Sequence, residues 1–253
     1  MAVVPRALTA CAAVAFCAAV LPAAGTARAD DSQQSPTLLD RSHTVAEAEA
    51  GIIALPTAPI SASNRGGSTP IGAVGNGDAT IEVGAHILYR PDRAWAIGAG
   101  AMFAPDPTSD HNFGGGAGGL SRTHSRSYLF LGGEFRYFPF RSRWIEFWVG
   151  ATGGIIIVAD RFSTNNAPSV PSLLGTNQIT VDTSGLSLGA QTGLDYLITD
   201  SLKAGLAFRG DWWLLPNEAN QVSSCDAIGD CPTLHGAVAA FELGVTVGYR
   251  IPL

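Results

Sequence analysis

Basic side chains are scarce in this sequence. One Lys and 14 Arg stand against 21 Asp and Glu in 253 residues, giving a formal net charge of -6. A nucleic-acid binder carries a basic face, so the composition argues against that class. Charge of either sign is low, 14% of residues, while 46% of side chains are hydrophobic, which argues against a disordered chain. No long apolar run follows residue 29, so no transmembrane helix is expected there. Cysteine is rare as well, with four in the chain.

The N-terminal segment has its own character. Arg6 belongs to a short basic start, residues 7–24 are nearly all apolar, and Ala27-Arg28-Ala29 forms a small-x-small cleavage signature before Asp30. Residues 1–29 read as a secretory signal peptide rather than a membrane anchor. Residues 30–43 are polar, contain Pro36 and read as a flexible leader; 44–253 form the body of the mature chain. Cys11 and Cys17 leave with the signal. Cys225 and Cys231 remain, bracketing Asp-Ala-Ile-Gly-Asp, and in an oxidising compartment they are expected to close a local disulfide. A redox or metal pair would prefer tighter Cys-x-x-Cys spacing.

The mature chain alternates with a period of two. From residue 81 one row is Ile81, Val83, Ala85, Ile87 and Tyr89; the other is Glu82, Gly84, His86, Leu88 and Arg90. From 239 the rows are Ala239, Phe241, Leu243, Val245, Val247 and Tyr249 against Ala240, Glu242, Gly244, Thr246, Gly248 and Arg250. Such segments are β-strands with two unlike faces. They fall at 79–90, 95–105, 126–139, 144–161, 186–197, 202–215 and 237–253, with 44–55 the expected first member of an even set.

Two features separate a membrane barrel from a sandwich. Arg-Pro-Asp-Arg-Ala, Pro-Phe-Arg-Ser-Arg and Leu-Ile-Thr-Asp-Ser make three short turns, which alternate with long polar segments near 61–78, 105–124, 163–185 and 217–236. Short turns at one end and long loops at the other are the habit of transmembrane barrels. Tyr89, Trp95, Tyr137, Trp144, Tyr196 and Tyr249 all lie at the short-turn end, and Phe103, Phe162 and Trp212 near the other, as two interfacial aromatic belts would require. The expected fold is all-β: an eight-stranded antiparallel up-and-down transmembrane barrel.

With these residues in place, the chain resembles the eight-stranded outer-membrane β-barrels of Gram-negative bacteria, the class that includes the OmpA-like barrel domain, OmpX and OmpW. The resemblance rests mainly on pattern, with one sharper motif: Thr246, Gly248, Ile251 and Leu253 fill the places of the family's C-terminal assembly signal. Ile251 and Leu253 stand where aromatics are usual. The resemblance implies a bacterial outer-membrane location, contact with membrane lipid and lipopolysaccharide, passage through the barrel-assembly machinery, and a monomer.

In a lipid-embedded barrel the polar row faces inward. The expected lumen network is Glu82, His86, Glu134, Arg136, Glu146, Asp195, Lys203, Arg209, Asp211, Glu242 and Arg250, with Gln191 beside them. Buried acids and bases must pair or be hydrated, so cross-strand ion pairs are expected. Inward glycines such as Gly98, Gly100, Gly150, Gly154, Gly189, Gly205 and Gly244 leave room for them. Eight strands enclose space only for side chains, so a wide pore is not expected, although a narrow small-solute passage stays open.

No cofactor, metal or catalytic residue is expected. The run Gly114–Gly119 lacks the Lys and helix of a phosphate cradle and reads as a loop. His111, His124 and His235, with Asp110 and Asp230, fall in loops with no fixed metal spacing. Two alternatives remain. One is a soluble exported barrel holding an apolar ligand, which reverses the two faces. The other is a lipid-A-modifying enzyme using His124, Ser125 or Ser127, and a carboxylate such as Glu134, although that acid lies too far along the strand from Ser127.

Overall fold

Alternation gives each segment one greasy face and one face of small or polar groups, and closure of the sheet decides which is hidden. The computed structural model describes residues 42–59, 76–105, 110–113, 122–163, 178–217, 221–222 and 234–252. Ten strands occur among them: β1 (His43–Pro59), β2 (Asn76–Arg90), β3 (Trp95–Ala104), β4 (Asp110–Phe113), β5 (Arg122–Arg141), β6 (Ile145–Ser163), β7 (Gln178–Leu197), β8 (Leu202–Leu215), β9 (Gln221–Val222) and β10 (Gly236–Pro252). Eight of them close an antiparallel barrel in the order β1-β2-β3-β5-β6-β7-β8-β10, with β10 returning to β1. The short β4 and β9 add to the outer ends of β5 and β7.

The register fixes the dimensions. Starting at Thr44, paired residues run through Tyr89, Ile97, Phe135, Ala151, Ala190, Gly210 and Phe241, and return to β1 at Ala54, ten residues along. A stagger of this size in eight strands corresponds to a tilt of about 40° and a backbone radius of roughly 8 Å. Two facing side chains span that width.

The faces divide as the alternation predicts. Ile81, Val83, Ile87, Leu188, Leu206, Leu243, Val245 and Val247 are exposed, while Glu82, Glu134, Glu146, Lys203, Glu242 and Arg250 are buried. Six aromatics at the short-turn end, Tyr89, Trp95, Tyr137, Trp144, Tyr196 and Tyr249, point outward, as do Phe103 and Trp212 toward the other end. The soluble-barrel alternative is therefore incorrect for this chain: its apolar rows would have to face inward, and they face outward.

Pro56 and Pro139 enter strands without breaking the barrel because each sits at a register shift, between Leu55 and Pro59 in β1 and between Tyr137 and Phe140 in β5. A proline that donates no ladder bond is tolerated at such a bulge.

Two expectations need correction. The strands reach further toward the outer end than the apolar pattern suggested: β1 runs to Pro59, β5 begins at Arg122, and β7 begins at Gln178 rather than at 186. The polar stretch 163–185 is therefore partly sheet. Its Thr and Val residues favour extended backbone, and pairing such as Asp160↔Val181 and Ala159↔Asp182 continues past the apolar band. The second correction concerns the lumen, whose lining is not polar throughout.

Candidate functional site

Inward side chains stack in tiers from the short-turn end to the outer end. At the foot, the Glu146 carboxylate is fully buried among three guanidinium groups. Arg90 Nη1 donates to both its oxygens at 3.2 and 3.1 Å, Arg250 Nη2 donates at 2.7 Å, and Arg141 Nε at 2.7 Å. The turn between β2 and β3 folds over this group, and Arg90 donates to the Asp92 and Arg93 carbonyls. A small apolar tier follows, including Val45, Leu88, Phe138 and Trp148. Arg90 lies 3.7 Å above the Phe138 ring and Arg136 4.2 Å above the Trp148 ring, so aromatic faces line the passage between charged tiers.

The middle tier is nearly balanced. Arg136 Nη1 donates to both Glu47 oxygens at 3.1 and 2.7 Å, and its Nε and Nη2 reach Glu134 Oε2 at 3.3 and 3.1 Å. Lys203 Nζ donates to Asp195 at 2.7 Å and also meets Glu47. Gln191 Nε2 adds a third donor to Glu134 at 3.1 Å. Above it, Arg209 donates to Glu242 and, at 3.5 Å, to Glu49. The His86 ring touches Glu49 and Glu134, and Asp211 accepts from Thr152 at 3.1 Å and Ser187 at 3.3 Å.

Glycine makes the space. A methyl carbon at Gly189 would lie 2.0 Å from Asp211 Oδ1 and 2.5 Å from Thr152 Oγ1, and one at Gly244 would lie 2.3 Å from Glu49 Oε1. Separations under 3 Å are overlaps, so the long polar side chains occupy the volume a Cβ would take.

Beyond Asp211 the lining turns apolar. Ile53, Leu55, Met102, Phe130, Ile156, Trp213 and Val238 form a buried cluster across the outer part of the barrel, with the Tyr128 and Trp213 rings 5.3 Å apart. Tyr128 Oη donates to Asp78. Arg126 Nε donates to Asp160 Oδ1 at 2.6 Å near the outer ends of β5 and β6. The interior is thus an ion-paired column that runs from the short-turn end and stops against an apolar seal.

All eleven expected lumen residues are buried inside the barrel. Glu47, Glu49 and Arg90 join them, and half-buried Arg141 reaches Glu146 from the short-turn end, although sequence reading did not single them out. Glu47 and Glu49 share parity with Val45 and Gly51, so their inward direction followed once the first strand was accepted. The apolar seal also had a signal. Leu129-Phe130-Leu131, Ile155-Ile156-Ile157-Val158 and Trp212-Trp213-Leu214-Leu215 lose the alternation, and all three lie toward the outer end.

The enzyme alternative offered Glu134 as one carboxylate for a hydroxyl on β5, already distant along the strand. Ser125 and Ser127 belong to the outward row of β5 with Leu131 and Phe135, whereas Glu134 points into the lumen, so that set does not assemble. The side chains of His111 and His124, and Phe162, lie outside the described residues. So do Cys225, Cys231, Asp230, Leu253, the Gly114–Gly119 run and residues 1–41. His235 is exposed, Thr246 and Gly248 face inward, and Ile251 faces outward. Among the described residues no group of three or more His, Cys, Asp or Glu is arranged to hold a metal ion.

No family model matches the chain, and no curated protein matches it. Solved structures do. A major outer membrane protein from Thermus thermophilus aligns with 83% of this chain and 99% of its own, at 13% identity and a TM-score of 0.51. Neisserial surface protein A aligns over 85% and 100% at 11% identity with a TM-score of 0.45, and OprG from Pseudomonas aeruginosa over 85% and 99% at 10% with 0.45. The likeness shows the fold, that of the bacterial outer-membrane β-barrels. With an apolar belt outside and charge inside, this fold places the chain in a bacterial outer membrane.

Proposed function

We propose that this protein is a solute-tight barrel of the outer membrane whose role is structural or interactive, carried by its outer rim and connections rather than by a water-filled pore. The observation that supports this most is the tier of apolar side chains across the outer part of the lumen, in which Leu55, Ile156 and Trp213 have at most 1% of their surface exposed. The polar groups at this level, Tyr128 with Asp78 and Arg126 with Asp160, are engaged with one another, and the charged column beneath is closed by its own ion pairs.

Its partners on this reading are outer-membrane lipid and lipopolysaccharide. The exposed Arg161 lies on the outward row of β6, paired with Ser125 and Thr180 beyond the apolar band, where lipid phosphates would meet it. Residues 1–29 act as the export signal, Thr246, Gly248, Ile251 and Leu253 as the assembly signal, and Cys225 with Cys231 as a disulfide. The barrel is a monomer and not an enzyme.

Recording from the purified protein in planar bilayers tests the reading. The expected result is no stable conductance step for the native chain, and steps appearing when Trp213 and Phe130 are both replaced by Gly. Large, stable openings of the native protein would show an open pore and contradict the sealed barrel.

A further inference from the structure

The charge in the column is unevenly spread. The foot holds three arginines around one glutamate, and the middle tier is nearly balanced. The inner end, against the apolar seal, holds Glu49, Glu82, Asp211 and Glu242, with Arg209 as the guanidinium among them and His86 beside them. Two details of this end concern hydrogen atoms rather than charge alone.

The first is His86. Its Nδ1 lies 3.0 Å from Glu134 Oε1 and its Nε2 lies 2.9 Å from Glu49 Oε2. A neutral imidazole carries a single N–H, and an ionised carboxylate only accepts. Both contacts are hydrogen bonds only when this trio carries one proton more than a neutral ring between two carboxylates.

The second is Glu82, buried with 2% of its surface exposed and with neither carboxyl oxygen in a hydrogen bond. It faces Glu49 from β1, Arg209 and Asp211 from β8, Glu242 from β10 and His86 from its own strand. Asp211 and Glu242 also act on one another as neighbouring acids. Thr152 and Ser187 already donate to Asp211, Gln191 and Arg136 to Glu134, and Arg209 to Glu242 and Glu49. Glu82 is left without a donor.

We propose that the inner end of the column is a proton-binding site that at neutral pH holds two protons more than its groups would carry in water, one on His86 between Glu49 and Glu134 and one shared among Glu82, Asp211 and Glu242. The proton is the cation that fits. It needs no cavity, whereas a metal ion would require converging ligands, and no such group occurs among the described residues. The apolar seal keeps out the mobile counter-ions that would otherwise neutralise the acids.

Wild-type protein in chelator-washed phosphatidylcholine vesicles provides the test, with three variants to assign the signals. Solid-state NMR of histidine-labelled protein is expected to show a buried imidazolium with both nitrogens protonated at neutral pH, and infrared spectra a protonated-carboxyl band. Both should disappear at alkaline pH. Comparison with H86Q assigns the ring signal, and comparison with E82Q and E242Q should halve or remove the carboxyl band. Absence of either signal from folded wild-type protein at neutral pH overturns the proposal. So does a carboxyl band that neither variant changes, or one that disappears when a divalent cation is added at fixed pH.

Discussion

Replacing Glu146 by Gln is expected to destabilise the barrel by about 3–5 kcal/mol, a hundredfold or more in the folding equilibrium. The isosteric amide leaves three guanidinium groups, those of Arg90, Arg141 and Arg250, without the anion that gathers them. Arg90 and Arg250 are almost wholly buried, so their charges cannot be returned to water without opening the foot of the column. The loss exceeds the worth of any single pair because three charges lose one partner. Urea titration of reversible folding in lipid vesicles reads the effect directly. E82Q is the informative contrast. Glu82 has no hydrogen-bond partner to lose and sits among other acids, so its neutral replacement is expected to be neutral or stabilising. Equal losses for both variants would contradict the uneven charge described above.

The second large effect is on the outside. Val245 lies near the middle of the outward row of β10, half exposed between Leu243 and Val247. Val245→Arg should cost about 2–4 kcal/mol, because the guanidinium has only acyl chains around it. Thr44, paired with Tyr89 and Ile251 at the short-turn end, also belongs to the outer surface but at the level of the headgroups. Thr44→Arg should cost about 0–1 kcal/mol. The same urea titration compares the two. A similar small cost at both depths would mean that this surface meets water throughout.

Much of this fold was legible in the residues because a barrel in lipid writes its two faces into alternate positions. Ile81, Val83 and Ile87 against Glu82 and His86 specified both the strand and its inward side. The turn at Arg90–Ala94 and the one at Arg141–Trp144 carry their own turn chemistry, so connectivity could be read locally. What could not be read was depth. Alternation tells which side a residue faces, not how far along the barrel axis its neighbour on another strand sits; that depends on the stagger, which no single strand encodes. Glu146 therefore appeared as one acid among many, and its three arginines, drawn from β2, β5 and β10, were not grouped with it.

The seal was missed for a related reason. Ile156 and Trp213 are apolar on a face assumed polar, and their runs looked merely like richer strand. Only placement at a common height shows that they close the lumen. The outer ends of β5 and β7 were underestimated because the sheet continues above the apolar band, where polar residues such as Thr180 and Ser125 carry no hydrophobic signal.

Trp212 and Trp213 are adjacent residues on opposite faces of one strand, 52% and 1% exposed. Two variants, each retaining one of them as the sole tryptophan with Phe at the other tryptophan positions, can be folded into vesicles of lipids brominated along the acyl chain. Trp212 fluorescence should be strongly quenched by the bromines, while Trp213 should keep its emission and resist aqueous quenchers. Quenching of Trp213 by acyl bromines, with Trp212 open to aqueous iodide, would contradict the assignment of lipid to the outer face and a sealed core to the inner one.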